Sequence, residues 1–530
     1  MKKHLIFLIL VSLIALWPFF KKGFFQSHDG EWMIIRFTAF HQTLAAGQLP
    51  VRFVDRLNNN YGYPVLNFLY PLPFYLSEIP KVLGFNFVDS IKATFVLSAV
   101  FSVAAMYWAL SQTFSPLSSL VGAITYLYIP YRFVDLYVRG SLGESLAFAV
   151  IPLIFGFIYK LKKHKDIFLP PLAISIGLLI LSHNVIAVLF IPTLLIIALI
   201  IVKSKIKAAL SFLAGITIAS FFWIPAIYDL KFVKLSQIKV SQVADHLVNL
   251  KDLFIPRWGF GPAPQSADGL SVQIGLVPTI IIAAAICFLI KNKEKPKIAL
   301  FLIAITLSAI FLMTKMSLWF WQHAPLVDII QFPWRLLSLV VFAVSILTAE
   351  LITFTKNNTV VAFLIIVASF LTTIAYTKPA IFIDRPDGFY STNEDTTTVK
   401  DEFMPLWVKE IPKERANQKI EIEGYGEIIS PEIKAANYKV GIIAHKDIKV
   451  RVNTIYFPGW QATVDGQGTN ILYNDNPNGL MSFKLPEGGH EVIIKYSKTP
   501  AHLASEVISL LALVGTGYYF FYLWRKQKTA

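Results

Sequence analysis

The sequence predicts a polytopic α-helical membrane protein of about twelve spans with a C-terminal antiparallel β-domain. Hydrophobic residues make up 55% of the 530 positions and charged residues only 15%, whereas soluble chains carry about a quarter charged residues. Apolar runs of about 20 residues recur along the chain, which is the length of a bilayer-spanning helix. From about residue 430 to 500, apolar and polar residues alternate instead, which indicates half-buried strands.

The expected spans follow the apolar runs in chain order. The first is interpreted as a retained span rather than a signal peptide, because it is long and no small-residue cleavage site follows it. The twelve expected spans are residues 4–25, 91–111, 117–130, 144–160, 167–183, 185–202, 206–228, 273–290, 297–314, 334–355, 358–377 and 504–524.

Basic residues predict the orientation of these spans. The net charge of +15 comes largely from short lysine-rich loops that alternate along the chain, as the positive-inside rule requires of cytoplasmic loops. We therefore expect a multi-pass protein of the cell membrane with both termini cytoplasmic and the long loops outside. The bilayer, not nucleic acid, is the partner that this charge pattern predicts. The lysine-rich loops lie at 2–3, 160–165, 203–207 and 291–297.

Three regions follow from this topology. Residues 1–377 form a transmembrane module with a long outer loop, 26–90, that is rich in aromatic residues and proline. Residues 378–503 form an extracytoplasmic domain, β-rich from about residue 430. Residues 504–530 form the final transmembrane helix and a cytoplasmic tail.

Two local patterns refine this picture. The spacing of apolar residues over 31–46 predicts an amphipathic helix lying in the membrane interface, ended by Gly47 and Pro50. In the outer domain, Asp465-Gly466 between two alternating runs predicts a hairpin turn.

The main candidate functional residue is Asp29, which follows the first span. Asp is a common cap at the start of a helix, so a structural role ahead of residues 31–46 is one interpretation. The other is action on a lipid-linked substrate whose head group lies at this depth.

A second polar group lies at the membrane edge in residues 131–144. Arg139 has the planar fork that holds a phosphate through two nitrogens, and Glu144 begins a span, where ionisable groups are commonly functional. The alternative is a structural pair, either of Arg139 with Glu144 or of Asp135 with Arg139. Arg335 begins a span from the outer side, so it either reaches back to the interface or binds a lipid phosphate.

Motifs along nearly the whole chain carry a resemblance to a known family. The chain resembles the GT-C membrane glycosyltransferases, and more closely the bacterial YfhO-like and 6-pyruvoyl-tetrahydropterin-synthase-related integral membrane proteins. The pterin chemistry in that family name is not expected, because the ten histidines are scattered rather than clustered as zinc ligands. The motifs are HDG at 28–30, GQLPVR at 47–52, the segment 62–73, YVRGSLGE at 137–144, LSHN at 181–184, FWIP at 222–225, QFPWRLL at 331–337, YFPGWQATVDG at 456–466 and TP at 499–500.

The resemblance implies a GT-C-like fold and transfer of a sugar from a polyprenyl-phosphate donor. The acceptor would be a glycan, lipid or protein of the cell envelope, on the extracytoplasmic face. Asp29 would be the general base. Candidates for binding the substrate or the donor phosphate are Arg52, Asp135, Arg139, Glu144, His183 and Arg335.

No cofactor is required by any spacing in the sequence. Mg²⁺ or Mn²⁺ could be held by oxygen ligands such as Asp29 and Glu144. Two other functions stay open: a transporter or flippase for lipid-linked saccharides, and a non-catalytic protein of envelope polysaccharide assembly. If Asp29, Arg139 and Glu144 line one outward cavity next to a lipid-wide groove, transfer is favoured, whereas a polar channel across the bilayer would favour transport.

Overall fold

The computed structural model of the protein describes residues 2–163, 165–292, 296–324 and 327–529. The α-helices, numbered α1 to α20 in chain order, are Lys2–Ala15, Gly30–Ala45, Val65–Phe68, Leu72–Val82, Phe87–Leu110, Pro116–Leu127, Pro130–Phe133, Leu142–Lys162, Leu169–Ser182, Asn184–Ile201, Lys205–Ile218, Ser220–Asp229, Leu276–Lys291, Lys297–Leu312, Leu318–His323, Val327–Ile330, Leu337–Phe354, Asn358–Thr373, Asp387–Ser391 and Pro500–Thr529. The strands β1 to β10 are Phe24–Phe25, Phe382–Ile383, Ile420–Glu423, Gly426–Lys434, Asn437–Ala444, Ile448–Ile455, Trp460–Val464, Gln467–Thr469, Leu480–Leu485 and Gly488–Tyr496.

Several of these helices can span a bilayer. Within the described residues, six are long and apolar enough by themselves, and α11 with α12 forms a seventh candidate that is bent by 65°. Shorter apolar helices accompany them at Pro116–Leu127, Asp166–Ser182, Leu276–Lys291 and Lys297–Leu312. A helical membrane architecture with a C-terminal β-region is therefore confirmed, while the count of twelve spans and their orientation stay predictions.

The first expected span is shorter than the sequence indicated. Its helix ends at Ala15 rather than near residue 25, and a 3₁₀ turn follows over Trp17–Phe20. Pro18 lies in that turn and cannot donate a helical hydrogen bond. Phe24 and Phe25 then pair with Ile383 and Phe382 of β2, so the chain leaves the helix to form a strand.

The expected span 206–228 is a broken helix. The break lies at Ala219, between α11 and α12. Pro225 has no N–H to offer the carbonyl of Phe221, and the guanidinium of Arg52 donates to that carbonyl instead, at 2.7 Å. An apolar run of uniform composition did not reveal this break.

The helix predicted over 31–46 is present as α2, but its surroundings differ from the prediction. Apolar and polar side chains are buried alike, among them Ile34, Phe37 and Thr38. Thr38 donates to the carbonyl of Tyr390 at 2.9 Å, and Arg36 donates to Thr397. The later segment 387–397 thus covers the polar side of α2, while Phe87 packs against Phe37 on the apolar side.

The β-domain contains two antiparallel sheets with the strand orders β4-β5-β10-β7-β8 and β3-β6-β9. It begins at Ile420, about ten residues earlier than the alternation indicated. Asp465 and Gly466 join β7 to β8 with φ angles of 51° and 79°, as expected for a two-residue hairpin turn with both central residues left-handed. This turn was predicted correctly.

The β-domain packs directly on the loop 26–90. Asp55 is buried and pairs with Lys419 at 2.8 Å, and it also accepts a hydrogen bond from Tyr438. Phe53 stacks on Tyr496 with ring centroids 5.3 Å apart. The loop therefore has a folded core shared with the outer domain and provides a rigid support for its N-terminal part.

We expect the lysine-rich loops and the β-domain to lie on opposite sides of the membrane, because positive charge is retained in the cytoplasm. Lys163→Cys and Asn470→Cys place a thiol at two exposed positions, in a Cys287→Ser background that removes the native cysteine. An impermeant maleimide should label position 470 in intact cells and position 163 only after permeabilisation. Labelling of 163 in intact cells, or protection of 470, would contradict the topology.

Candidate functional site

The site forms where the chain after the first helix meets the turn before α8. A single π-helical turn, Val134–Arg139, ends at Gly140, whose φ is 61°. The amides of His28 and Asp29 donate to the carbonyls of Val138 and Arg139 at 3.0 and 2.8 Å. A Cβ on Gly140 would lie 2.9 Å from the amide nitrogen of Gly30. Only a glycine therefore permits this close approach of the two segments.

Arg139 joins two carboxylates across this contact. Its Nη2 lies 3.1 Å from Asp29 Oδ2, and its Nη1 lies 3.1 Å from Glu144 Oε1. The guanidinium also lies over the ring of Trp334, 4.5 Å from its centroid. Only 5% of the Arg139 side chain is exposed, against 29% of the Asp29 side chain. Asp29 is thus the solvent-accessible end of a buried ionic chain.

Glu144 is the buried centre of that chain. Its side chain has no exposed surface, and its Oε2 accepts a hydrogen bond from the hydroxyl of Tyr131 at 3.0 Å. Arg335 Nε and His183 Nε2 approach its Oε1 to 3.4 and 3.9 Å. A buried carboxylate is tolerated when cations and hydrogen-bond donors surround it. The predicted pair of Arg139 with Glu144 is therefore present.

Asp29 does not cap the helix that follows it. Its side chain makes no capping hydrogen bond to α2. The hydroxyl of Ser27 instead accepts from the amide of Gly30 at 3.2 Å. The capping interpretation of Asp29 is therefore wrong, and its carboxylate is directed at Arg139.

Asp135 lies close to this cluster but is not accessible to a substrate. It is fully buried, and neither carboxylate oxygen has a hydrogen-bond partner. Burial, followed by the charge of Glu144, raises the pKa of Asp135 well above its ordinary value, although Arg139 and Arg132 oppose this. Asp135 therefore belongs beneath the site, and the prediction that it contacts substrate is not supported.

Arg52 lies in a different cluster from Asp29. It donates to Asn67 at 3.2 Å and pairs with Glu506 at 3.3 Å. Asn67 and His502 both donate to Asp229, each at 2.9 Å. Arg52 thus connects the first loop, the broken span and the last helix, apart from the Asp29 cluster, and its role as a phosphate ligand stays a prediction.

The donor set does not favour a metal shared by Asp29 and Glu144. The guanidinium of Arg139 lies between the two carboxylates. Glu31, a further acid nearby in sequence, faces Arg385 at 3.8 Å. Across the described ranges, no three His, Cys, Asp or Glu side chains gather closely enough to hold an ion.

Sequence reasoning missed the aromatic residues of the site. Tyr131 bonds Glu144, Trp334 lies against Arg139, and the ring of Tyr70 is 4.8 Å from that of His183. They lie in the segments 62–73, 131–144 and 331–337 that the sequence analysis named, so the signal was present, but aromatic residues at a membrane edge are also common as interfacial anchors.

The family comparison supplies the identification. A model of the 6-pyruvoyl-tetrahydropterin synthase related domain, described as a membrane protein, matches residues 66–380, more than half of the chain. The chain belongs to this PTPS-related family. A curated relative from Lactococcus lactis subsp. cremoris, named only as an uncharacterized protein, is 24% identical over 243 residues, 43% of this PTPS-related chain and 39% of the relative.

The solved structures to which the chain is similar share little sequence identity with it. The mycobacterial arabinofuranosyltransferase AftD has a TM-score of 0.49 at 14% identity, over 73% of this chain and 28% of its own. ArnT from Cupriavidus metallidurans, solved with undecaprenyl phosphate, has a TM-score of 0.42 at 11% identity, over 66% and 60%. An Archaeoglobus fulgidus oligosaccharyltransferase has a TM-score of 0.41 at 11% identity, over 76% of this chain and 61% of its own. The chain spans less than two thirds of the length of each.

Arg139→Gln should destabilise the protein by about 3 kcal/mol, because removing one partner of a buried pair leaves the other charge uncompensated. The double variant Arg139→Gln/Glu144→Gln should lose less stability than the sum of the losses in its two single variants. Unfolding of the purified protein in detergent measures these differences. Arg385→Gln is the control, because its 3.8 Å pair with Glu31 is partly exposed and such pairs contribute little. Additive losses would contradict the pairing.

We expect the hydrogen bond from Trp334 to His246 to be sensitive to acid. Its Nδ1 accepts a hydrogen bond from Trp334 Nε1 at 3.4 Å, and burial lowers its pKa to about 4. The pKa of histidine in the unfolded chain is about 6.5, so the native state favours the neutral ring. The free energy of unfolding therefore decreases as the pH falls from 6.5 towards 4.

Thermal unfolding between pH 7 and pH 4.5 tests this. The midpoint should fall more for the wild-type protein than for His246→Gln, which keeps an acceptor without titrating. Equal pH dependence of the two proteins would show that His246 does not contribute.

Proposed function

We propose that this protein is a membrane glycosyltransferase that moves a sugar from a polyprenyl-phosphate donor to a cell-envelope acceptor on the extracytoplasmic face. One observation carries the proposal: Asp29 presents a partly exposed carboxylate that is held by Arg139, whose other nitrogen is anchored on buried Glu144. The resemblance of the quoted motifs to GT-C enzymes supplies the reaction class. The acceptor class, a glycan, lipid or protein, belongs to the proposal only in this general form.

In this proposal Asp29 removes the proton from the acceptor hydroxyl. The hydroxyl oxygen bonds to the anomeric carbon of the sugar, while the bond from that carbon to the phosphate oxygen breaks. The electron pair leaves with the lipid phosphate, and the proton stays on Asp29 until solvent takes it. A positioned carboxylate acting as a base contributes about 10²–10⁴-fold to the rate.

Arg139 links proton removal to the leaving phosphate. When Asp29 takes up a proton, the guanidinium loses one of its two anionic partners and retains Glu144 at 3.1 Å. A nitrogen of Arg139 then has an N–H to offer the phosphate oxygen, and a charge-assisted hydrogen bond of this kind is strong. Arg335, held at 3.4 Å from Glu144, supplies further positive charge beside the same carboxylate.

The ion pair between Glu144 and Arg139 supports inversion of configuration at the anomeric carbon. Double displacement needs a second carboxylate that attacks the sugar, a rule taken here from hydrolases. Glu144 is the nearest paired acid, but it is fully buried and occupied by Arg139 and Tyr131. A single displacement with Asp29 as base fits this geometry.

A transporter of lipid-linked saccharides is the second candidate. The 65° bend between α11 and α12 favours it, because transporters use interrupted helices near their binding sites. Beside this bend, Arg52 contacts the carbonyl of Phe221 at 2.7 Å. Movement of a labelled lipid-linked sugar across proteoliposomes, without formation of a glycosylated acceptor, would favour this function over transfer.

Asp29→Asn should reduce transfer by about 10²–10⁴-fold while leaving expression and donor binding nearly unchanged, because the amide oxygen can still accept from Arg139. Membranes are supplied with labelled polyprenyl-phosphate sugars, and loss of donor is measured. Asp465→Asn is the matched control, since Asp465 forms a hairpin turn and bonds His490 at 2.7 Å. It should transfer at nearly the wild-type rate.

Near-wild-type transfer by Asp29→Asn would refute the catalytic assignment. Loss of transfer together with loss of thermal stability would assign Asp29 a structural role instead. A severe loss in Asp465→Asn, with the protein folded and in the membrane, would move the site to the β-domain.

A further inference from the structure

A groove runs between α9, α11 and α20, at the opposite end of α9 from His183. Its volume is about 340 Å³, and most of its wall consists of small or apolar side chains. A second cavity, also about 340 Å³, shares Leu169 and Lys207 with it. We refer to these two adjoining cavities together as the cleft, with the first as its apolar interior and the second as its polar mouth. Residues of the interior are Ala173, Leu210, Ala214, Ala512 and Gly515.

The mouth of this cleft is basic. Lys203, Ser204 and Lys207 line it together with one acid, Asp166, which pairs with Lys207. Both members of that pair are exposed to solvent at their ends, with 47% and 40% of the side chains accessible, so an arriving anion can share Lys207. Leu161 lines the same cavity from the end of α8.

The start of α11 adds a second attraction for an anion. This helix has 14 residues, its preceding Ser204 makes no side-chain capping hydrogen bond, and its first turn contains no acidic residue. The first amides of a helix have no intrahelical partner, and they attract phosphate groups. Because Ser204 and Lys207 line the mouth, this helix start faces the same space as the lysines.

We propose that the cleft binds one anionic phospholipid, with its phosphate at Lys203, Lys207 and the start of α11 and one acyl chain along the apolar interior. Basic pockets between transmembrane helices bind anionic head groups in this way, and the apolar wall needs a chain that free phosphate lacks. The occupant is distinct from the donor lipid, because the 14 residues of α9 separate the mouth from His183 by about 20 Å. The proposal is independent of the proposed function.

Lipid binding to the purified, delipidated protein in detergent tests this. Dioleoyl-phosphatidylglycerol should bind saturably and raise the melting midpoint more than dioleoyl-phosphatidylcholine. Lys203→Gln/Lys207→Gln should weaken phosphatidylglycerol binding by about 10- to 30-fold and remove the preference between the two lipids. Lys356→Gln, at an exposed lysine outside the cleft, should bind like the wild-type protein.

Filling the apolar interior gives a second, charge-neutral test. A Cβ on Gly515 or on Gly517 meets no atom within 4 Å, so a side chain can begin at either position without a clash, but only Gly515 lines the groove. Gly515→Leu should therefore weaken phosphatidylglycerol binding, and Gly517→Leu should not. Equal binding of the two lipids, full displacement by inorganic phosphate, or wild-type binding by Gly515→Leu would each overturn the proposal.

Discussion

The ionic bridge of Arg139 is the interaction on which the geometry of the site depends. A guanidinium with 5% of its side chain exposed is stable only when its partners are fixed, since removing one partner of a buried pair leaves an uncompensated charge. Asp29 comes from the chain after the first helix, whereas Glu144 comes from α8. The bridge therefore adds a charged contact to the backbone hydrogen bonds that join these two segments.

The outer part of the molecule reinforces this bridge. Loop 26–90 packs against the β-domain through the Asp55–Lys419 pair at 2.8 Å and the stacking of Phe53 on Tyr496. α2 is buried on both its apolar and polar sides. Asp29 is thus presented by a supported element, and such support is what holds a catalytic carboxylate at a constant distance from its partners.

The sequence predicted most of the helices and the hairpin at Asp465, and it singled out Asp29, Arg139 and Glu144, because periodicity, turn residues and membrane-edge charges are local signals. It did not predict which charged residues meet. Arg52 and Arg139 have similar local surroundings in sequence, yet Arg52 bonds Asn67 and Glu506 while Arg139 bonds Asp29 and Glu144. That difference arises from packing between distant segments. Likewise, the pairing of β1 with β2, which follows the turn at Pro18, joins segments that are far apart in the sequence.

The pairing of β1 with β2 has a consequence for how the protein is made. The pairing of Phe24 and Phe25 with Ile383 and Phe382 cannot form until the later strand has been synthesised. The same holds for the ion pair of Asp55 with Lys419. Asp29 and Arg139 can meet once the first 144 residues have emerged, long before their outer support exists. During synthesis the bridge is thus an early, unsupported contact. The mature site is completed only when the last third of the chain folds back onto the first loop.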